Sequence, residues 1–417
     1  MEYISLFSIF IFTIFATLFE YRTYRTIFTP FILFAIPYVV VIIMQVVWIF
    51  FNKTAPISYI YLSYVLIFLV LMFVVGNTMI FLLDKFFYVK SYSFSKSYII
   101  PRLKLIEYVS IFSAIYLLIY FIGEATKLDI IGKVVQEDFQ DKYSGGINFY
   151  LRLISMIGAV YFIAISQKRK TILLAILCLM PNFLTFVKGM TIIPITAGLV
   201  SNLIIYKKSI GLKTILYGVF FALLSFSFIY LIEISIWNPD KLFKFKTYII
   251  IFNKISTYLI SGVQSFNINS ENIGNIPNIH NPVYAPFVNI LYKFGIFDYR
   301  INTIGVFKTV IVENKILGTI DTNVNTYIGT ILLYSGIFIG IFVHLFITLI
   351  VYTLFYISKK SNNLLDIMLY SIFSTGFILA WFDYYYMQTF WIYILLYFTL
   401  LRSLYSIKKN LLKMRSV

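Results

Sequence analysis

The sequence predicts an all-α, polytopic transmembrane helical bundle, and three observations predict it. Apolar runs near 20 residues recur from one end of the 417-residue chain to the other, the length a helix needs to cross a hydrocarbon layer of about 30 Å. Hydrophobic residues make up 60% of the chain and charged ones only 12%, whereas a soluble domain is about a quarter charged. Polarity does not alternate over short segments as it does along the strands of a membrane barrel.

Reading apolar runs against charged breaks gives eleven helices, at 3–19, 30–51, 57–83, 105–123, 147–166, 170–187, 189–206, 214–236, 325–355, 364–381 and 386–404. The first run, Tyr3 to Leu18, has no basic flank before it and no small-residue cleavage site after it, so it reads as a retained helix rather than a signal peptide. Between the sixth and seventh helices only Val187-Lys188-Gly189 intervenes, which makes a tight hairpin. Asn and Thr in Asp321-Thr-Asn-Val-Asn-Thr326-Tyr327 suit the start of the ninth helix, because their side chains accept from its free N–H groups. Further on, Gly336 and Gly340 would let a second helix approach closely.

Orientation follows from the basic residues of the loops. Alternate loops and the tail from Arg402 carry 20 basic residues against 4 carboxylates, and the other side carries 14 against 13. The net charge of +17 is therefore almost all on one side. That is the mark of a cytoplasmic collar on anionic lipid, and it excludes a nucleic-acid partner as the reason for the charge. The chain is expected to start outside and end in the cytoplasm. One cysteine, Cys178, and two distant histidines, His280 and His344, exclude a disulfide framework and a zinc-ligand spacing. No metal site and no cofactor is expected.

Three regions follow: 1–236 with eight spans and short loops, 237–323 as a large external loop, and 324–417 with three spans and a basic tail. The loop is not a linker. Lys244, Lys246 and Lys254 alternate with Phe, Tyr and Ile, as on an interfacial helix. An Asn- and Gly-rich turn at 267–280 and a second amphipathic stretch, 283–294, come next.

The polar residues expected at the outer side fall into two groups. Arg152, one turn into the fifth helix, and Arg300 are external arginines, whose guanidinium fork suits phosphate. Lys188 stands beside the N-terminus of the seventh helix, where free N–H groups favour an anion. Each has a rival reading: snorkelling or structural pairing for Arg152, an ion pair with Asp298 for Arg300, an interfacial anchor for Lys188. Glu233, Asp383 and His280 are candidates for a general base that removes a proton from an attacking sugar hydroxyl. His344, in the middle of the ninth helix, reads as buried packing.

Tyr258-Leu-Ile-Ser-Gly262, Pro286-Phe-Val-Asn-Ile-Leu-Tyr-Lys-Phe-Gly295, Thr322-Asn-Val-Asn-Thr-Tyr327 and Tyr334-Ser-Gly-Ile-Phe-Ile-Gly340 occur in that order. This set resembles the C-terminal half of the O-antigen and capsule repeat-unit polymerases of the Wzy type. The resemblance implies an inverting, metal-independent glycosyltransferase of the GT-C kind in the bacterial inner membrane. Its substrates would be undecaprenyl-diphosphate-linked oligosaccharides, and a chain-length regulator would be a partner. It also implies external cations on the diphosphate, which brings in Arg152, Lys188 and Arg300, and substrate contacts at Tyr258, Asn323 and Tyr327. Two features depart from the family pattern. Lys188 stands where an arginine is common, and Tyr334-Ser335-Gly336 replaces an Asp-Phe-Gly, so no acid is present there. An O-antigen ligase and a lipid-linked oligosaccharide flippase remain as alternatives.

Overall fold

The computed structural model describes residues 1–52, 57–87, 102–128, 137–185, 187–206, 244–271, 281–301, 310–314, 318–322, 324–361 and 363–414, with single positions at 227, 231, 240 and 273. The expected eighth span, 214–236, lies outside the described residues apart from two of those positions. The protein is a polytopic helical membrane protein. Seven of its described helices are long and apolar enough to cross a bilayer, and two shorter apolar helices, Leu364–Ile378 and Phe390–Tyr405, accompany them. Among the described residues one small antiparallel hairpin, Val310–Asn314 with Gly318–Thr322, is the exception to the all-helical plan.

By contacts the chain forms two compact units, one from residues 1–92 and 257–417, the other from 93–256. The first unit opens with α1 (Glu2–Tyr24), α2 (Pro30–Asn52) and α3 (Tyr59–Phe86). On α1 the buried positions are Ile9, Thr13, Ala16, Glu20 and Tyr24, a stripe at steps of three and four that leaves the other faces apolar and exposed, as lipid requires. Arg25 ends α1 in the left-handed conformation, with φ of 54°. Pro30 suits the first turn of α2, where no N–H partner is needed. Ser58 caps α3 by accepting from the Ile60 amide at 3.2 Å. Gly76 of α3 admits the Tyr352 ring so closely that a methyl there would stand 2.2 Å from it.

The second unit holds α4 (Lys104–Ala125), α5 (Glu137–Ser144), α6 (Gly146–Ala164), α7 (Arg169–Phe183) and α8 (Lys188–Tyr206). Its centre is α6, where buried residues run without a break from Ser155 to Phe162. Small residues make the packing possible. Gly158 faces Ser110 of α4 and Gly198 faces Ile163, each too near for a Cβ. Ser110 and Ser155 donate to the carbonyls of Ile154 and Cys178, so neither hydroxyl is wasted in an apolar interior.

The rest of the first unit follows α9 (Phe245–Asn269) and α10 (Ala285–Lys293), and comprises α11 (Tyr327–Ser361), α12 (Leu364–Ile378) and α13 (Phe390–Met414). Here the structure departs from the expected interfacial loop. From Ile260 to Asn267 α9 is buried on every side. Gly262 lies against the Phe382 carbonyl, Phe266 against Gly329, and Gln264 accepts from Gln45 Nε2 at 2.6 Å.

A second departure concerns α11. A straight helix of its 35 residues would be about 52 Å long, far more than one crossing needs. It is instead two arms meeting at Gly336, whose φ of 72° and ψ of 178° break the helix. The Tyr327 hydroxyl lies 3.1 Å from His344 Nδ1, although 17 intervening steps of straight helix would part the two residues by about 25 Å. A Cβ on Gly340 would touch Ile331 and Leu332 at 3.0 Å. The first arm therefore folds back along the second. This corrects the reading of the two glycines: Gly336 makes the reversal, and Gly340 lets the helix pack on its own first arm.

Candidate functional site

In the second unit the start of α6, the end of α7 and the start of α8, with α5, gather a buried polar cluster. Arg152 sits six residues after Gly146, the first residue of α6, and is only 7% exposed. Its Nη2 donates to the Ser144 carbonyl at 3.3 Å, and its Nε has no hydrogen-bond partner among the described residues. No carboxylate stands within ion-pair distance of it among those residues. Asn148, one turn earlier on the same face, is buried, and its Oδ1 is likewise without a partner. From α7, Asn182 donates to the Arg152 carbonyl at 3.4 Å.

The start of α8 lies level with this guanidinium. α6 and α8 are packed together, with Gly198 against Ile163 and Asn202 donating to the Ile163 and Ala164 carbonyls. Counting back ten residues along α8 and eleven along α6 brings Lys188 opposite Arg152. Lys188 opens α8, as expected; its side chain is outside the described residues. Thr191, in the next turn, is buried, and its hydroxyl has no partner among the described residues. A buried guanidinium with an unused N–H, and a buried hydroxyl near the start of α8, are donors that an anion would satisfy.

The α5 helix covers this cluster. Phe139 and Tyr143 are buried with Leu117 against Phe121 and Leu184. The Tyr143 hydroxyl donates to the Pro181 carbonyl at 3.1 Å, and Gln140 Nε2 to the Leu184 carbonyl at 3.3 Å. Burial pushes the Tyr143 phenol above its ordinary range. On the outside, Glu124 pairs with Lys142 of α5 and with Lys127 at 2.6 Å. Those bonds hold the Glu124 carboxyl partner-bound, and they raise the Lys142 ammonium.

The first unit has its own buried cluster, around the non-helical stretch between α12 and α13. Asp383 is 6% exposed. Its Oδ1 accepts from the Tyr384 amide at 2.7 Å and from the Thr330 hydroxyl at 3.4 Å. The Tyr327 amide, free at the start of α11, donates to the Ala380 carbonyl at 2.7 Å. Ser265 donates to Asn325 at 2.5 Å, and Asn281 donates to the Tyr334 carbonyl at 2.9 Å, closing the end of the first arm of α11. Rings of Tyr327, Tyr384, Tyr386 and Phe377 fill the space around these groups.

The other residues singled out from the sequence divide plainly. Tyr327 is fully enclosed with its hydroxyl on His344, so it belongs to the packing of this conformation. His344 Nε2 bonds the Phe68 carbonyl at 3.0 Å, which requires the proton there and leaves Nδ1 to accept from Tyr327. Arg300 is exposed, next to Ile301, whose carbonyl accepts from Asn289 Nδ2 at 2.9 Å and whose amide donates to Asn289 Oδ1 at 2.8 Å. Tyr258 lies on α9, its side chain outside the described residues, and His280, Glu233 and Asn323 lie outside them altogether. Sequence reasoning missed Asn148 and Thr330. The first was legible as the position four before Arg152 on one helix face; the second depends on the fold-back at Gly336, which no local signal announced.

Fold and site define a multi-pass, all-α membrane protein with buried polar clusters inside its helical units. The chain belongs to a family of unknown function, DUF6337, whose model matches residues 60–411. No curated protein and no solved structure matches it.

Proposed function

We propose that the protein polymerises undecaprenyl-diphosphate-linked oligosaccharide repeat units at the outer face of the bacterial cytoplasmic membrane. It transfers the growing glycan to the terminal sugar of a new lipid-linked unit, with inversion and without a metal. The observation that carries this reading is Arg152. A charged residue inside a span costs about 2.5–3.5 kcal/mol on insertion scales unless it is paired or hydrated, and this one is buried with part of its fork unused. A diphosphate oxygen pair suits that fork.

In the reaction the bond from the sugar carbon to the diphosphate oxygen breaks, and a bond from the acceptor hydroxyl oxygen to that carbon forms. The diphosphate carries away the electron pair, and a base takes the hydroxyl proton. Arg152 and Lys188, with the N–H groups of α8, neutralise the leaving diphosphate, which is where charge grows in the transition state. For the base the sequence alone supplies the candidates, Asp383, Glu233 and His280, and for further substrate contacts it supplies Arg300 and Tyr258. The basic collar orients the chain, and a chain-length regulator is the expected partner.

A second reading, transport of lipid-linked oligosaccharide, draws support from one observation, the broken helix α11, since discontinuous helices recur at transporter binding sites. The glycans of cells lacking the gene, separated by size, distinguish these readings. A single repeat unit on the lipid core in place of a ladder supports the polymerase. Long chains retained on the undecaprenyl carrier would make it a ligase, and units trapped on the cytoplasmic face would make it a transporter.

A further inference from the structure

We infer that α5 is a latched flap over Arg152, which must lift before an anion reaches the guanidinium. The inference rests on the reading of Arg152 as a phosphate-binding residue and adds how access to it is controlled.

Four observations support it. The Ser144 carbonyl, in the last turn of α5, occupies Nη2 of Arg152 at 3.3 Å, the place a phosphate oxygen would take. A helix of 8 residues is too short to be stable alone, so its position depends on what pins it. Those pins are Phe139 and Tyr143 against Leu117, Phe121 and Leu184, the Tyr143 bond to Pro181, the Gln140 bond to Leu184, and the ion pair of exposed Lys142 with Glu124. The junction to α6 is Gly145-Gly146, both exposed; Gly146 has φ of 55° and Gly145 lies so near the Asp141 carbonyl that a Cβ would meet it at 2.8 Å. Two glycines at the pivot, a polar latch at the rim and a buried cation beneath are the parts of a hinged cover.

Lifting α5 breaks the Ser144 bond to Arg152 and exposes Asn148, whose Oδ1 has no partner among the described residues when the flap is down. The incoming anion replaces the carbonyl on the guanidinium. In this arrangement Glu124 acts on the site through Lys142, as a positioning residue.

The test reads the flap without any substrate. A thiol placed by Asn148→Cys is modified by a membrane-impermeant maleimide applied to the full-length protein; the natural Cys178 is buried and supplies the background measured in its absence. Exposed ion pairs contribute about 0.2–1 kcal/mol, so Glu124→Gln is expected to raise the modification rate roughly two- to fivefold. Lys142→Glu combined with Glu124→Lys is expected to bring it back, and Tyr143→Phe to raise it as well. Equal rates with and without the latch, or no modification in any variant, would overturn the flap. Restoration by the charge swap separates a latch from general loosening of the fold. The polymerase reading is judged apart, by the glycan ladder of Arg152→Ala, so a latch that works in a protein with an unaltered ladder would leave the flap standing and remove that reading.

Discussion

Arg152 and Asp383 are both charged residues enclosed in helical packing, and the chain treats them differently. Asp383 has its Oδ1 filled by a backbone amide at 2.7 Å and a hydroxyl at 3.4 Å, both from residues that the non-helical stretch and the folded α11 bring to it. Arg152 has one carbonyl at 3.3 Å, no carboxylate within reach among the described residues, and an idle Nε. Burying a polar group without a partner costs about 1–3 kcal/mol. A cost accepted at Arg152 and largely avoided at Asp383 marks the arginine as the group waiting for a ligand, and the aspartate as one that also holds its surroundings together.

Substitution can break that comparison. The largest effect is expected from Arg152→Ala, with loss of long glycan chains at an unchanged protein level, checked by glycan gel and immunoblot. Removing the charge relieves an unmet group, so the folded protein should unfold no more easily in detergent; a large drop in its unfolding temperature would show that the arginine serves structure. Next comes Asp383→Asn, which keeps an oxygen for the Tyr384 amide but cannot take a proton. If Asp383 is the base, chain extension falls by roughly 10²–10⁴-fold with the fold intact; a near-normal ladder would leave Asp383 a structural role only.

A smaller and purely structural loss is expected from Gly336→Ala. Its φ and ψ of 72° and 178° belong to a region that is essentially reserved to glycine, so about 1–3 kcal/mol of stability should go, read as a lower unfolding temperature in detergent. Gly76→Ala should cost a similar amount or more, because the Tyr352 ring stands where the methyl would be and that ring's hydroxyl donates to Glu20 at 2.5 Å. Arg300→Ala sharpens the contrast with Arg152 from the other side. Arg300 is exposed, so its loss should leave stability unchanged, and only a lost ladder would put it on the substrate.

The helical plan was open to reading because length and hydropathy are local properties. The spans of α1 to α4 fall within a few residues of the expected ones, for the reason that long apolar runs there stop at polar or charged breaks. Arg152 was equally visible, as a charge inside an apolar run. What could not be read was tertiary reversal. Nothing near Gly336 separates a glycine that admits a neighbour from one that turns the chain back, since both lie in the same apolar context. Likewise the Lys- and Tyr-bearing stretch of α9 reads as interfacial, yet its buried end is decided by Gln264, Phe266 and Gly262 meeting partners more than 50 residues away.

The reversal at Gly336 also bears on how the molecule is counted and built. A helix that enters the bundle and returns along itself makes no net crossing, so the first arm of α11 adds nothing to the parity that places the two chain ends. Only the stretch after Gly336 is a true passage. During insertion that stretch can enter the bilayer as one apolar unit. The nine residues from Tyr327 to Ser335, whose first turn leans on the Ala380 carbonyl, can take their place only after α12 has been synthesised.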